Sequence, residues 1–259
     1  MTAKRCILVI FILTSGLASG CNRLPGKPAE ADRWIAPSEV VNFDQLYGQN
    51  CAGCHGSAGR FGAARSLNDP LFLNLISADS LRQVIREGVA STSMPAFGQK
   101  FGGQLTDAQI DLLAEQMRSR WGKPEGFVGV TLAPYSQQDA IAKGTGPGDS
   151  QRGATVYNNY CSECHGTDGR GGKTAGSIVD PNFLKLVSDQ SLRTTVIVGR
   201  QNIGESDCRA NTNGQPMSAQ EVSDVVAWLA SQRSTQASVE RAQPANPSST
   251  EIKSPPHLD

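Results

Sequence analysis

The stretch Cys51-Ala52-Gly53-Cys54-His55 has a second copy in the chain, Cys161-Ser162-Glu163-Cys164-His165. Two thiols at this spacing can add to the two vinyl groups of one haem, and the histidine that follows can bind the iron. A redox dithiol, a disulfide or half of a zinc site also uses such a cysteine pair, but none needs a histidine directly after it, twice. The motifs therefore predict two covalently bound haems, attached at Cys51, Cys54, Cys161 and Cys164, with His55 and His165 as proximal iron ligands.

Most of the chain is a tandem repeat built around these two motifs. Tyr47 and Tyr157 each stand four residues before the first cysteine of their motif, and glycines follow each histidine at matching positions. The segment 67–73 has its counterpart at 178–184, and the offset between the copies drifts only from 110 to 112 residues. A repeat of this length predicts two tandem copies of one small domain.

Both copies resemble class I cytochrome c domains, and the tandem resembles a small dihaem cytochrome c, over roughly residues 39–125 and 146–235. The resemblance implies an all-α fold in which each domain wraps a few helices round one covalently bound haem c, two haem c groups in all. It also implies that the carbonyl of Pro70, and of Pro181 in the second copy, accepts the imidazole N–H of the proximal histidine. Alternatively, either proline only prevents a loop from becoming helical.

The composition suits this fold and disfavours a role with nucleic acid. Of 259 residues, 24 are basic and 24 acidic, so the formal net charge is zero, and nucleic-acid binding has no electrostatic support. Hydrophobic residues make up 38% and aromatic residues 6% of the chain, which is low for a domain that forms its core alone. A haem would supply much of the missing core.

The N-terminus has the layout of an export signal. Lys4 and Arg5 precede an apolar run over residues 7–13, followed by small residues, and the run is too short to span a bilayer. Residues 17–21, Leu-Ala-Ser-Gly-Cys, resemble a bacterial lipobox, in which the signal is cut before the cysteine and the new N-terminal Cys21 is acylated. The alternative is ordinary signal cleavage that leaves a spare thiol.

Capping signals and composition set the predicted boundaries. Ser38 is expected to cap the first helix, and Asp149 or Ser150 its counterpart. Capping boxes at 106–109 and 218–221 predict a closing helix in each domain. The Gly, Pro and Gln content of 126–145, without helical periodicity, predicts a linker. The predicted organisation is a signal peptide at 1–20, a lipid-anchored linker at 21–38, domain 1 at 39–125, a linker at 126–145, domain 2 at 146–235 and a disordered tail at 236–259.

The sixth ligand of each iron is the least determined feature. Apart from the two proximal histidines only His257 exists, so bis-histidine ligation of both haems by this chain is impossible. The Ser93-Met94-Pro95 sequence resembles the distal loop of the family, so Met94 is predicted to bind haem 1. Met117, on the inward face of a closing helix, is predicted to lie in the core.

For haem 2 three possibilities remain. Met217 is favoured because it is the only methionine of domain 2, although it directly precedes the last helix. Cys208 is the rival, because a thiolate can also bind iron and would lower the reduction potential. The third possibility is an open site.

A six-coordinate His/Met iron has no vacant position, which favours electron transfer over catalysis. The expected role is to carry electrons between a quinol-oxidising complex or periplasmic dehydrogenase and a terminal acceptor such as an oxidase, as a free carrier or a fixed subunit. The protein is expected to face the periplasm from a bacterial membrane, anchored by its lipid. The alternative is a dihaem redox enzyme, either a peroxidase or one similar to thiosulfate dehydrogenases, with Cys208 on haem 2.

Overall fold

The computed structural model describes residues 29, 34–90, 92–200 and 216–242, with side chains up to residue 233. Over these residues the chain is all-α, as predicted, and isolated bridges such as Gly98–Leu105 and Gly171–Gly176 take the place of strands. The export signal, Cys21, Cys208 and residues 243–259 of the predicted tail lie outside the described residues. A first unit, Met1–Val40, includes a 3-10 helix at Pro37–Glu39, and both haem motifs lie in the second unit, Val41–Asp259.

Five helices recur in the same order in the described parts of the two domains. Domain 1 contains α1 (Phe43–Asn50), α2 (Ala52–His55), α3 (Pro70–Leu75), α4 (Ala78–Glu87) and α5 (Asp107–Trp121). A helix α6 (Gln137–Ala142) follows between the domains. Domain 2 contains α7 (Ser150–Tyr160), α8 (Ser162–His165), α9 (Pro181–Leu186), α10 (Asp189–Val198) and α11 (Ala219–Ala242). Short 3-10 turns cover Gln99–Phe101 and Pro124–Phe127.

The closing helix of each domain packs on the first helix through aromatic side chains. In domain 1 the ring of Trp121 meets those of Phe43 and Tyr47 edge-on, with centroids 5.6 and 5.2 Å apart. In domain 2 Trp228 stacks on Tyr157 with centroids 4.2 Å apart. Aromatic pairs at these distances add to the stability that burial alone supplies. The repeat thus preserves a tyrosine–tryptophan contact beside each haem motif.

A repeated arginine joins the closing helix to the carboxyl end of the third helix of each domain. Arg118 donates to the carbonyls of Leu73 and Ile76, at 2.8 and 2.7 Å. Arg233 donates to the equivalent carbonyls of Leu184 and Val187, at 2.9 and 2.7 Å. The last carbonyls of a helix have no partner within it, so each arginine satisfies two groups that the fold would otherwise leave open.

Three of the four predicted caps are confirmed. Asp149 caps α7 through the Arg152 N–H, and both closing helices begin with a reciprocal capping box. Ser38 does not cap the first helix: α1 begins at Phe43, and the side chain of Asn42 accepts from the Gln45 N–H at 2.9 Å. Val40 has extended backbone, which breaks the helix expected to run from residue 39.

The predicted linker contains a helix that its composition did not indicate. Ser136 caps α6 by accepting from the Asp139 N–H at 2.9 Å. Arg193 of α10, only 2% exposed, then holds this segment on domain 2. Its guanidinium donates to the Pro134 carbonyl at 2.9 Å and to Gln137 Oε1 at 3.0 Å. Residues 134–142 therefore belong structurally with domain 2.

The last helix is longer than the predicted domain. The sequence placed the end of domain 2 at residue 235 and a disordered tail beyond it, whereas α11 continues to Ala242. No glycine or proline occurs between residues 219 and 242, so nothing in that segment ends a helix. Among the helices described, none is both long and apolar enough to cross a membrane.

Candidate haem sites

Each haem motif forms a single helical turn that continues directly from the first helix of its domain. In domain 1 the Cys51 N–H donates to the Tyr47 carbonyl at 2.8 Å, and the His55 N–H donates to the Cys51 carbonyl at 3.0 Å. In domain 2 Cys161 and His165 repeat both distances. Residues three apart on such a turn lie on one face, so the two thiols of each motif are neighbours.

The thiols have the state that thioether attachment requires and lack the features of the alternatives. All four motif cysteines are free, so neither pair is a disulfide. Burial, followed by the charge of the second cysteine of the pair, raises the pKa of the Cys51 and Cys161 thiols to about 11. A reactive dithiol needs a lowered pKa instead. In the described ranges no cluster of three or more His, Cys, Asp or Glu could hold a metal ion, so the rest of a zinc site is not found there.

Both motif histidines are held in the form that binds iron. Nδ1 of His55 lies 2.7 Å from the Arg65 carbonyl, and Nδ1 of His165 lies 2.8 Å from the Gly176 carbonyl. A carbonyl only accepts, so Nδ1 donates the proton and Nε2 keeps its lone pair for a metal. Burial lowers the pKa of His55 and so favours the neutral ring, while the hydrogen bond to the Arg65 carbonyl acts in the opposite direction and is the smaller effect.

The expectation that prolines 70 and 181 accept these imidazole protons is wrong. Pro70 and Pro181 instead occupy the first turn of α3 and α9. The preceding Asp69 and Asp180 cap these helices, and proline suits this position because its missing N–H would have no helical partner. The true acceptors are Arg65 and Gly176, which are equivalent at the repeat offset of 111 residues.

The tyrosine of each tyrosine–tryptophan contact also forms a hydrogen bond with the loop that follows the motif histidine. The Tyr47 hydroxyl donates to the Gly56 carbonyl at 2.9 Å, and the Tyr157 hydroxyl donates to the Gly166 carbonyl. Burial, with the neighbouring cysteine charge second, raises the pKa of both tyrosines to about 12, so both remain donors. Gly59 has φ of +74°, and a Cβ there would lie 2.9 Å from the Trp121 ring, so this position requires glycine.

The methionines are placed as follows. Met94 is half-buried in the loop between α4 and α5, where its N–H donates to Thr92 Oγ1 at 3.2 Å and its carbonyl accepts from the Val89 N–H at 3.1 Å. Met117 is 1% exposed inside domain 1, which confirms its assignment to the core. Met217 is half-buried and packs on a cluster of Val156, Tyr157 and Val225.

Cys161, the first haem cysteine of domain 2, packs on the same cluster as Met217. Met217 and the second motif thus share one hydrophobic cluster, while the rival Cys208 lies outside the described residues. Free thiols, an imidazole with an available Nε2 and a nearby thioether together fit a haem c in domain 2. In domain 1 the free thiols and the hydrogen-bonded imidazole are arranged in the same way.

Comparison with known proteins agrees with this geometry. Residues 39–117 match the family described as cytochrome c oxidase, cbb3-type, subunit III, and residues 150–233 match the family described as cytochrome c. The chain contains two cytochrome c domains. Each such domain holds one haem c, so two haem c groups are the cofactors that these domains imply.

Similar proteins include subunits of respiratory complexes. The cbb3-type cytochrome c oxidase subunit FixP of Bradyrhizobium diazoefficiens is 30% identical over 169 residues, 61% of this chain and 51% of that protein. FixP of Bradyrhizobium sp. (strain ORS 278) is 29% identical over 169 residues, which are again 61% of this chain and 51% of that protein. The cytochrome bc1 complex cytochrome c subunit of Corynebacterium diphtheriae is 24% identical over 195 residues, 73% of this chain and 65% of that protein. The chain spans about half the length of the FixP proteins it matches.

Proposed function

We propose that this protein is a dihaem c-type cytochrome that transfers electrons in a bacterial respiratory chain, and that it is not an enzyme. Haem 1 is attached at Cys51 and Cys54 and haem 2 at Cys161 and Cys164. The observation that carries the proposal is the same in both cytochrome c domains: a free thiol pair precedes an imidazole whose Nδ1 is occupied by a backbone carbonyl. His55 and His165 are then the proximal ligands.

Met94 and Met217 complete the proposed ligand sets. When bound, a haem c supplies one-electron chemistry at iron, and a thioether opposite histidine favours the reduced state. The chain would supply a histidine and a methionine to each iron, and no position would then be left for a substrate. The carbonyls of Arg65 and Gly176 support this by fixing the imidazole rings, because a hydrogen-bonded histidine is an oriented and more basic ligand.

The similar proteins suggest where the electrons come from and where they go. They include subunits of a cbb3-type oxidase, a bc1 complex and a gluconate 2-dehydrogenase. A quinol-oxidising complex or a dehydrogenase is therefore the proposed donor, and an oxidase the proposed acceptor. A formal net charge of zero is consistent with protein partners and gives no support to nucleic acid.

Electron transfer and catalysis can be separated with the purified protein. We expect it to take up two electron equivalents per chain in a spectroscopic redox titration. We also expect the reduced form to pass electrons rapidly to an oxidised soluble cytochrome c. Neither thiosulfate nor hydrogen peroxide should be turned over, because the proposed ligand sets would leave no open position on either iron. Sustained turnover of either compound would favour the enzyme alternative.

Lipid anchoring through Cys21 is a separate part of the proposal. The lipobox-like residues 17–21 and the polar segment after them suit an acylated N-terminus on a tether. Each buried methylene of an acyl chain contributes about 0.8 kcal/mol, so two or three chains would hold the protein stably on a membrane. The cytochrome c domains would then face the periplasm, where c-type haem is attached in bacteria.

We expect Cys21→Ser to abolish acylation and to release the protein from membranes. Labelling cells with a radioactive fatty acid and separating membrane from soluble fractions would measure both effects. Cys6→Ser is the matched control, since Cys6 lies in the predicted signal and would be removed, so that variant should behave as wild type. An acylated Cys21→Ser protein, or a wild type without label, would contradict the anchor.

A further inference from the structure

One residue of the haem 1 site also contacts domain 2. The carbonyl of Arg65 accepts the Nδ1 proton of His55 at 2.7 Å. The side chain of Arg65 points to α10, where Nη2 donates to Thr195 Oγ1 at 2.6 Å and Nη1 to the Gly199 carbonyl at 3.4 Å. Gly199 directly follows the last residue of α10, so the guanidinium lies at the carboxyl end of that helix, where the helix dipole attracts a cation. Arg65 therefore joins the proximal side of haem 1 to the second domain.

The repeat indicates that the haem site does not need this side chain. Gly176 is the equivalent of Arg65 in domain 2, and its carbonyl accepts from His165 at 2.8 Å with no side chain at all. A backbone carbonyl is thus sufficient to orient the imidazole. The guanidinium of Arg65 serves a purpose that domain 2 does not share.

The surface around Arg65 is an asymmetric contact between the domains. Helix α3 of domain 1 contacts α10 of domain 2, and the Arg65 guanidinium carbon lies 5.8 Å from the centroid of the Phe72 ring on α3. Phe72 is 6% exposed, whereas its counterpart Phe183 on α9 is 38% exposed. Domain 2 therefore covers the face of domain 1 around Phe72. The equivalent face of domain 2, around Phe183, is open to solvent in the described structure.

We propose that Arg65 is a positioning residue that makes the reduction potential of haem 1 depend on domain 2. Oxidised haem carries one more positive charge than reduced haem, so a guanidinium held on the proximal side disfavours oxidation and raises the potential. The bond to Thr195 keeps this charge half-buried, where water and salt screen it less than at the surface. The inference rests on the proposed electron-transfer function and deepens it.

The test measures the midpoint potentials of both haems in full-length variants. Arg65→Gln retains the carbonyl but removes the charge. We expect the equilibrium constant for reducing haem 1 to fall about tenfold, which is about 59 mV for one electron. Thr195→Val exchanges a hydroxyl for a methyl group in the other domain, and we expect a fall of about threefold because the guanidinium is then held less firmly beside haem 1. Thr195→Ser keeps the hydroxyl and should match the wild type. Haem 2 should not change in any of them.

A double-mutant cycle decides whether Arg65 acts through Thr195. In the Arg65→Gln background, Thr195→Val should have no further effect, because the interaction is already lost. Additive shifts, a silent Arg65→Gln, or an unchanged haem 1 potential in Thr195→Val would overturn the inference. Thr195→Val and Thr195→Ser change a residue outside the haem 1 site. Their potentials therefore decide the question even if the Arg65→Gln protein fails to incorporate haem.

Haem content separates this inference from the proposed function. A pyridine haemochrome assay should count two haems per chain in the wild type and in both Thr195 variants. A wild type with fewer than two would contradict the dihaem proposal itself. Two haems with unchanged potentials would contradict only the role of Arg65. The two haems are told apart in the titration with a variant in which Cys161 and Cys164 are both replaced by alanine. This variant lacks haem 2, so its single redox step belongs to haem 1.

Discussion

Replacing Cys51 and Cys54 together by alanine is expected to leave a protein with one covalently bound haem instead of two. Both thioether bonds of haem 1 disappear, while the thiol pair of the second motif and His165 lie in a separate domain and keep their geometry. Mass spectrometry of the intact purified protein measures the change directly. The mirror variant, with Cys161 and Cys164 replaced, should also retain one haem, and a variant with all four replaced should retain none.

The same experiment carries a stability effect. Domain 1 buries only a small apolar core of its own, and removing the haem removes a large part of the surface against which its loops close. We expect the thermal unfolding of domain 1 to shift to lower temperature, while domain 2 unfolds as in the wild type. A Cys51→Ala/Cys54→Ala protein that still carries two covalent haems would contradict the attachment site.

The sequence was informative where the determining contacts are local. The capping boxes and the core position of Met117 follow from spacings of three or four residues, and the structure confirms both. The repeat strengthens these predictions, because a weak pattern that occurs twice at matching positions is seldom a chance match. The repeat also holds the information that pairs Arg65 with Gly176, the two residues whose carbonyls hold the imidazoles, because they lie at an offset of 111 residues.

The errors arose where several local solutions were equally acceptable. Ser38 and Asn42 are both good capping residues, and the extended backbone at Val40 decides between them. Likewise, a proline soon after each histidine fits either a carbonyl acceptor or a helix start, and the aspartate directly before it favours the helix start. Residue propensity alone could not rank these alternatives, because the residues present suit each of them.

Contacts between distant parts of the chain had no sequence signature. Arg65 and Thr195 are separated by 130 residues, and neither stands in a motif or a periodic pattern. The same holds for Arg193, whose buried guanidinium fixes the segment between the domains. Such side chains satisfy backbone carbonyls that only the folded chain brings together, so their partners depend on the tertiary structure. The functional asymmetry between the two repeats lies in these contacts.

Replacing Met217 by alanine is expected to make haem 2 high-spin, to lower its reduction potential and to open it to carbon monoxide, while haem 1 keeps its spectrum. Met217 packs on the same cluster as Cys161, and domain 2 has no other methionine and no second histidine. Without its thioether the iron loses the neutral ligand that stabilises the reduced state. Absorption spectra with and without carbon monoxide, combined with a redox titration, measure all three changes.

Two further variants make the assignment decisive. Met117→Leu removes a thioether from the core of domain 1 at nearly constant volume, so both haem spectra should remain as in the wild type. Cys208→Ser should also leave the spectrum and potential of haem 2 unchanged, because a thiolate is not expected on this iron. The opposite pattern, in which Cys208→Ser abolishes a low-spin, low-potential haem and Met217→Ala is silent, would transfer the ligand to Cys208. A thiolate-ligated haem 2 would then place the enzyme alternative ahead of electron transfer.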